Sequence, residues 1–192
     1  MRDPWYVMCM YATDHFSHPQ KNILQMGLSE GLKVGDFGTG TGHYAIALSG
    51  IVGQHGRVYA VDVQKDVLTH LRDTLEQKKI TNVDTICGDI EKQGGTKLRA
   101  HVLDAVVLSN TLFQIDDRQG LVDEIKRVLV PGGKLLVSDW AGSYGGIGPH
   151  ADHVVSEHDA EELFITNGCH KVKSYRSGPH HYSILFTCPV VE

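Results

Sequence analysis

The sequence lacks any long run of apolar residues. No apolar stretch in its 192 residues approaches the roughly 18 that a membrane-spanning helix requires. The first residues, which include Asp3 and Pro4, contain no continuous apolar segment of the kind found in secretory signals. We therefore expect a cytoplasmic protein without a membrane partner.

Basic residues are also fewer than acidic ones. The chain has 18 lysine and arginine residues against 23 aspartate and glutamate residues, a formal net charge of −5. Nucleic-acid-binding domains usually carry an excess of basic residues, so the composition does not indicate a nucleic-acid partner. A local basic patch remains compatible with this overall balance.

Cysteine is scarce, and its spacing contains no Cys-x-x-Cys pair. The four cysteines are scattered, which predicts free, buried thiols in a reducing cytoplasm. No second cluster of histidine and cysteine defines a metal-ligand set, so no metal site is predicted. The cysteines are Cys9, Cys87, Cys169 and Cys188.

Glycine, in contrast, is abundant and recurs at alternate positions in one motif. An apolar run from Leu32 to Phe37 contains Asp36 and leads into Gly38-Thr39-Gly40-Thr41-Gly42, directly before a helical pattern. A strand that turns into a helix in this way aims free backbone N–H groups at a ligand in the turn. The motif therefore predicts a site for a nucleotide-like cofactor.

The details of this loop exclude two common nucleotide sites. A dinucleotide fingerprint would need a third glycine where His43 stands, and no Gly-Lys-Ser/Thr of a phosphate-binding loop occurs in the chain. No lysine or arginine lies between Lys33 and Arg57 to neutralise phosphates. The ligand expected here is adenosine joined to an uncharged or zwitterionic group.

Two further strands end in acidic residues. The strand 57–62 closes on Asp62, which is followed by Val63, and the strand 83–87 is followed by Gly88-Asp89-Ile90. A carboxylate at the first position can accept hydrogen bonds from ribose hydroxyls. At the second, Asp89 can accept from an exocyclic amine while Ile90 packs on the ring.

These motifs together resemble the class I S-adenosylmethionine-dependent methyltransferases. The resemblance extends over Lys33 to Trp140 and includes Leu108-Ser109-Asn110 and the turn Leu129-Val130-Pro131-Gly132-Gly133-Lys134. It implies S-adenosylmethionine as cofactor and S-adenosylhomocysteine as product. The cofactor-binding residues it implies are Asp36, Gly38, Thr39, Gly40, Gly42, Asp62, Val63, Gly88, Asp89, Ile90, Ser109 and Asn110.

Alternating strand and helix patterns predict an α/β protein with a parallel sheet. The family resemblance implies a three-layer sandwich around a mostly parallel seven-stranded sheet, a Rossmann-like methyltransferase fold with an antiparallel edge hairpin. We expect one domain, 1–192, made of an N-terminal lid and helix segment, a cofactor-binding core and a C-terminal substrate side. These parts are 1–31, 32–140 and 141–192.

The pattern also predicts individual elements. Helices are expected over about 19–28, 42–52, 65–78, from a cap at Asp116 or Asp117 to the Pro131-Gly132-Gly133 terminator, and from Ser156 to about Asn167. Strands are expected over 33–37, 57–62, 83–87, 104–108 and 134–138, with a final pair at about 170–176 and 182–188.

The acceptor should border residues that leave the fourth and fifth strands, because ligands of such sheets bind where the strand order reverses. Asp139 is therefore a candidate catalytic residue. His150 and His153 follow the fifth strand, and an imidazole there could deprotonate a nucleophile. Solvated loop histidines are the more ordinary interpretation, and a metal site with Asp152 is a third.

The leading functional hypothesis is methyl transfer to a small molecule. Alternatives are an RNA or protein methyltransferase of the same fold, and a protein that binds adenosylmethionine without catalysis. An NAD-dependent oxidoreductase is disfavoured by the glycine spacing and by the absence of a Tyr-x-x-x-Lys pair. The three-cysteine set expected of an arsenite methyltransferase is not evident, and the acceptor and oligomeric state are not predicted.

Overall fold

The computed structural model of the chain describes residues 18–144 and 148–189, and strands alternate with helices through most of them. The strands in these ranges are β1 (Lys33–Phe37), β2 (Arg57–Asp62), β3 (Val83–Cys87), β4 (Leu103–Ser109), β5 (Leu129–Trp140), β6 (His170–Arg176) and β7 (His181–Cys188). The α-helices are α1 (Pro19–Leu24), α2 (His43–Val52), α3 (Lys65–Gln77), α4 (Arg118–Val128) and α5 (Glu157–Thr166). Short 3₁₀ helices lie at Leu112–Gln114 and Ala151–His153.

The seven strands form one sheet in the order β3-β2-β1-β4-β5-β7-β6. β1 to β5 run parallel, and β7 pairs antiparallel with both β5 and β6. The predicted α/β fold with its antiparallel hairpin is confirmed. The reversed strand is β7, which lies second from the edge of the sheet, between β5 and β6. The order reverses between β1 and β4, which places a crevice at their carboxyl ends.

Each face of the sheet is covered by helices. In β4, Ala105 and Val107 belong to one apolar cluster with α1, α2 and α3, while Val106 and Leu108 belong to the cluster with α4 and α5. Such alternation is expected of a strand buried on both faces. The result is a three-layer sandwich.

Two predicted helix caps are present. The Asp117 carboxylate accepts from the N–H of Gly120 at 2.9 Å at the start of α4. Ser156 Oγ accepts from the N–H of Asp159 at 3.1 Å and donates to its Oδ2 at 2.7 Å. Each cap satisfies a backbone donor that the first helical turn leaves unpaired.

Two helix ends differ from the prediction. α1 stops at Leu24 instead of near Leu28, and Gly27 follows with a left-handed φ of 58°. α4 stops at Val128, before the Pro-Gly-Gly turn, because Leu129 already has an extended backbone. Residues 130–133 form an irregularity in β5 opposite a single residue of β4.

The prediction of free thiols is wrong for two cysteines. Cys169 and Cys188 form a disulfide, and their Cα atoms are 4.2 Å apart. His170 pairs with Thr187 in the hairpin, so the register places the two cysteines opposite each other. Sequence spacing alone could not supply that register. Cys87 is a free cysteine, and the cytoplasmic location stays a prediction.

The predicted N-terminal lid lies largely outside the described residues, since only positions from 18 onward are described. None of the helices in the described ranges is long and apolar enough to cross a bilayer. The proposed division at 31 and 140 stays a prediction.

Candidate active site

The three glycines of the loop after β1 all have left-handed φ values, which are 71° at Gly38, 51° at Gly40 and 82° at Gly42. Their surroundings differ. A Cβ on Gly38 would collide with Thr111, and one on Gly42 would collide with Leu71, whereas one on Gly40 would meet no atom within 4 Å. Two glycines therefore serve close packing, and the middle one borders open space.

Asp62 joins this loop to the end of β2. Its Oδ2 accepts from the N–H of Gly40 at 3.0 Å, and its Oδ1 accepts from the N–H of Gln64 at 2.9 Å. Each carboxylate oxygen has a further lone pair for another donor. The next side chain, Val63, is 59% exposed, so its apolar surface is accessible at the end of β2.

Asp36 is buried beneath the same loop. Thr39 Oγ1 donates to its Oδ2 at 2.6 Å, and the N–H of Ala45 in the first turn of α2 also donates to its carboxylate. Burial raises the pKa of Asp36 to about 7 against these two hydrogen bonds, and the nearby charge of Asp62 raises it further. Its carboxylate supports the turn from below.

The residues after β3 have mixed surroundings. Asp89 forms an ion pair with Lys92 at 2.7 Å and accepts from the N–H of Glu91 at 3.0 Å, and these two contacts lower its pKa. Gly88 stands where the following loop leaves no room for a Cβ. Ile90 is 6% exposed and packs in the apolar cluster beneath α4.

The end of β4 carries two buried polar atoms without a hydrogen-bond partner in the described part of the chain. They are Ser109 Oγ and Asn110 Oδ1. Asn110 has a left-handed φ of 54°, and its N–H donates to the carbonyl of Ser138 at 2.8 Å. Buried polar atoms normally have partners, so a polar ligand fits at this edge.

Asp139 is almost fully buried and holds the segment after β4. Its Oδ2 accepts from the N–H of Leu112 at 2.8 Å, its Oδ1 accepts from that of Trp140 at 2.8 Å, and the N–H groups of Thr111 and Phe113 also donate to it. Burial outweighs these bonds and raises the pKa of Asp139 to about 7. Its contacts position the 3₁₀ turn at Leu112–Gln114.

His150 and His153 lie at the surface. His150 Nδ1 is 3.2 Å from Asp152 Oδ2, and these side chains are 72% and 82% exposed. His153 is exposed as well. No group of three or more potential metal ligands occurs among residues 18–144 and 148–189.

A different pair of histidines lies at the end of β5. His181 is fully buried with its ring centroid 4.3 Å from that of Trp140, and His180 lies 4.1 Å from Tyr144. Sequence reasoning missed them because it followed position along the chain. In the sheet, His181 of β7 pairs with Trp140 of β5, and this pairing brings His181 and the preceding His180 to the end of β5.

Comparison with known proteins adds to this geometry. A family model described as "Methyltransferase domain" matches residues 35–137. That range begins just before the glycine loop and ends in β5, so it includes the carboxyl ends of β1 to β4 but not those of β5, β6 and β7.

Two curated relatives resemble more than half of the chain. A ubiquinone/menaquinone biosynthesis C-methyltransferase UbiE of Haemophilus ducreyi is 31% identical over 116 residues, which are 60% of this chain and 44% of that protein. An arsenite methyltransferase of Mus musculus is 32% identical over 116 residues, 57% of this chain and 31% of that protein. The chain thus spans less than half the length of either.

A solved structure matches over nearly the full length. The SAM-dependent methyltransferase from Aquifex aeolicus superposes with a TM-score of 0.87 at 25% identity. The match covers 97% of this chain and 99% of that one.

Proposed function

This chain belongs to the class I S-adenosylmethionine-dependent methyltransferases, and from that premise we propose that it transfers a methyl group to a small-molecule acceptor. When bound, S-adenosylmethionine supplies an electrophilic methyl group on a sulfonium. The observation that carries the proposal is the hydrogen bond from the N–H of Gly40 to Asp62, which joins the acid at the end of β2 to the one loop glycine that borders open space.

We assign the adenosine end to the ends of β2 and β3. Asp62 keeps lone pairs for the ribose hydroxyls because its two bonds to backbone N–H groups use only one on each oxygen. The exposed side chain of Val63 is suited to pack on the adenine ring. Asp89 would bind the exocyclic amine, and Ile90 would line the pocket floor from the core.

The amino-acid end belongs beside the loop and the start of α2. Gly40 leaves the space for it, and no acidic residue occupies the first turn of α2, so the helix N-terminus favours a carboxylate there. Asp36 contributes indirectly: it stabilises the turn by accepting hydrogen bonds from the Thr39 hydroxyl and the N–H of Ala45. Gly38 and Gly42 allow Thr111 and Leu71 to close against the loop.

Methyl transfer requires an acceptor atom in line with the methyl group in a site that excludes water, and positioning supplies much of the rate. Ser109 Oγ and Asn110 Oδ1, which have no hydrogen-bond partner in the described ranges, could bind a polar group at this point. Asp139 holds the turn that follows them. We propose a positioning role for Asp139. Among the described residues the ion-pair partner of the exposed His150 is the exposed Asp152, and a catalytic role for His150 and His153 stays a prediction.

A small acceptor is favoured over RNA or protein. The two curated relatives are named for quinone biosynthesis and for arsenite, both small acceptors, and the chain is acidic overall. Of the described cysteines only Cys87 is a free thiol, which does not favour arsenite as the acceptor here.

Calorimetric titration with S-adenosylhomocysteine tests the cofactor assignment. We expect the wild-type chain to bind it, and Asp62→Asn to bind about 10- to 100-fold more weakly, because hydrogen bonds to a charged acceptor contribute about 1.5–3 kcal/mol. Asp73→Asn removes an exposed carboxylate from α3 and is the matched control.

Failure of the wild-type chain to bind the product would refute the proposal. Incubation with S-adenosylmethionine and panels of phenols, quinols, RNA and protein, with S-adenosylhomocysteine measured by mass spectrometry, then separates the acceptor classes. Binding without turnover on any panel would support the non-catalytic alternative.

A further inference from the structure

A polar cleft lies between α1 and the turn that connects β6 with β7. Its volume is about 320 Å³. Its lining includes His18, Lys21, Gln25, Tyr175, Arg176 and Ser177. The family model does not cover any of these residues, since it ends at residue 137 and begins at residue 35. The cleft is therefore a feature of the segments that flank the cofactor core.

The cleft concentrates positive charge in an acidic protein. Lys21 and Arg176 are exposed, and neither forms an ion pair within the described residues, although the chain carries a net charge of −5. His18 adds an imidazole, and no aspartate or glutamate of the described ranges lines the cleft. Unpaired cations facing one concave space are suited to an anion.

The walls of the cleft are held in place by hydrogen bonds. Asn22 Nδ2 donates to the hydroxyl of Tyr44 at 2.8 Å, and the Tyr175 hydroxyl donates to the carbonyl of Asn22 at 3.3 Å. Lys173 Nζ donates to Gln25 Oε1 at 2.8 Å, which leaves the amide N–H groups of Gln25 as donors. α1 is thus tied to α2 on one side and to β6 on the other.

The cleft is connected to the end of β4 through one residue. The hydroxyl of Ser138 in β5 is 3.3 Å from that of Ser177, which lines the cleft. The carbonyl of Ser138 accepts from the N–H of Asn110, whose side-chain oxygen has no hydrogen-bond partner among the described residues. The turn after β6, which lines the cleft, lies at the same edge of the sheet as the end of β4, because β6 runs parallel to β5.

We propose that this cleft binds the acidic group of the methyl acceptor, so that the acceptor is a small organic acid. This inference rests on the proposed methyltransferase function. Three strand spacings separate β4 from β6, a distance of about 14 Å, and the nucleophilic atom lies nearer to β4. The acceptor then carries its carboxylate several bonds away from the atom that receives the methyl group.

The test uses 4-hydroxycinnamate, which has a carboxylate at one end and a nucleophilic oxygen at the other, and the neutral 4-hydroxycinnamamide. Calorimetry should show the acid binding to the wild-type chain more tightly than the amide. The double variant Lys21→Ala with Arg176→Ala should weaken acid binding about five- to tenfold and leave amide binding unchanged. Affinity for S-adenosylhomocysteine should stay within about twofold of wild type.

The matched control removes two exposed cations elsewhere, Lys78→Ala with Arg99→Ala, and should keep the wild-type affinity for the acid. Equal affinity for acid and amide, equal acid binding by wild type and the cleft variant, or no acid binding at millimolar concentration would each overturn the proposal. Acid binding that depends on the cleft charges without binding of S-adenosylhomocysteine would reject the methyltransferase function and retain the anion site.

Discussion

Three glycines in one loop have the same backbone handedness and different tasks. Gly38 and Gly42 leave room for Thr111 and Leu71, whereas Gly40 faces open space beside Asp62. The close contacts at Gly38 and Gly42 stabilise the fold, and the space beside Gly40 is the one a ligand can occupy. Conformation alone would not separate these tasks, because every one of the three has a positive φ.

Replacing Gly40 by alanine should remove cofactor binding at a small cost in stability. The Cβ meets no protein atom but enters the proposed ligand space, and a left-handed alanine costs about 1–2 kcal/mol. We expect Gly40→Ala to lower affinity for S-adenosylhomocysteine by at least about tenfold in calorimetry, with a Tm only a few degrees below wild type.

Gly31 offers a matched control. It also has a left-handed φ, 88°, with no atom within 4 Å of its Cβ position, and it precedes β1 at the opposite edge of the sheet. Gly31→Ala should therefore cost similar stability and bind S-adenosylhomocysteine like wild type. Equal loss of binding in both variants would assign the effect to general destabilisation.

At the scale of elements, local sequence patterns were sufficient for most of the sheet. β1, β2 and β3 have the predicted bounds, because apolar runs that close on glycine or acid are local signals. The predicted bounds of α4 and β5 were less accurate, because the change from helix to strand at Leu129 depends on the pairing of Leu129 with Leu103. The disulfide was missed for a related reason: it depends on the register of β6 against β7.

The disulfide should stabilise the hairpin and the α5 segment that precedes it. Closing a loop of 19 residues restricts the unfolded chain, a contribution of about 3 kcal/mol in the chain-entropy model. We expect the double variant Cys169→Ala with Cys188→Ala to lose about that much free energy of unfolding in urea. Dithiothreitol should destabilise the wild-type chain in the same direction.

The double variant is also the control for reduction, because its stability should not respond to dithiothreitol. Mass spectrometry after alkylation without reductant should find Cys169 and Cys188 unmodified even in the unfolded chain, where burial no longer protects them. Alkylation of both in the unreduced, unfolded chain would show that the disulfide does not form in solution.

At the scale of the whole molecule, local sequence motifs predict a cofactor site, whereas no local motif predicts the cleft. The proposed cofactor residues follow consecutive strands, so a short stretch of sequence contains each motif. The cleft instead combines α1 with β6, and the bond from Tyr175 to Asn22 joins residues 153 positions apart. A contact of that separation has no signal in local spacing, and the same holds for His181 under Trp140.

The parallel sheet also concentrates two buried acids at its carboxyl edge, and this arrangement predicts how stability depends on pH. Burial raises the pKa values of Asp36 and Asp139 from 3.8 to about 7. Between about pH 4 and pH 7 the folded chain therefore holds protons that the unfolded chain has released, so folding is favoured at the lower pH. That stability is fully present below pH 3.8 and is lost as the pH rises through about 7.

We expect the free energy of unfolding of the ligand-free chain to fall between about pH 5 and pH 7, by an amount on the order of 2 kcal/mol for each acid, and the Tm to fall with it. Asp36→Asn and Asp139→Asn should each flatten this dependence in differential scanning fluorimetry, whatever their effect on the Tm at a single pH. Asp73→Asn, on the exposed face of α3, should keep the wild-type slope. An unchanged slope in both buried variants would mean that these carboxylates are already ionised in the folded chain, with the surrounding N–H groups compensating for their burial.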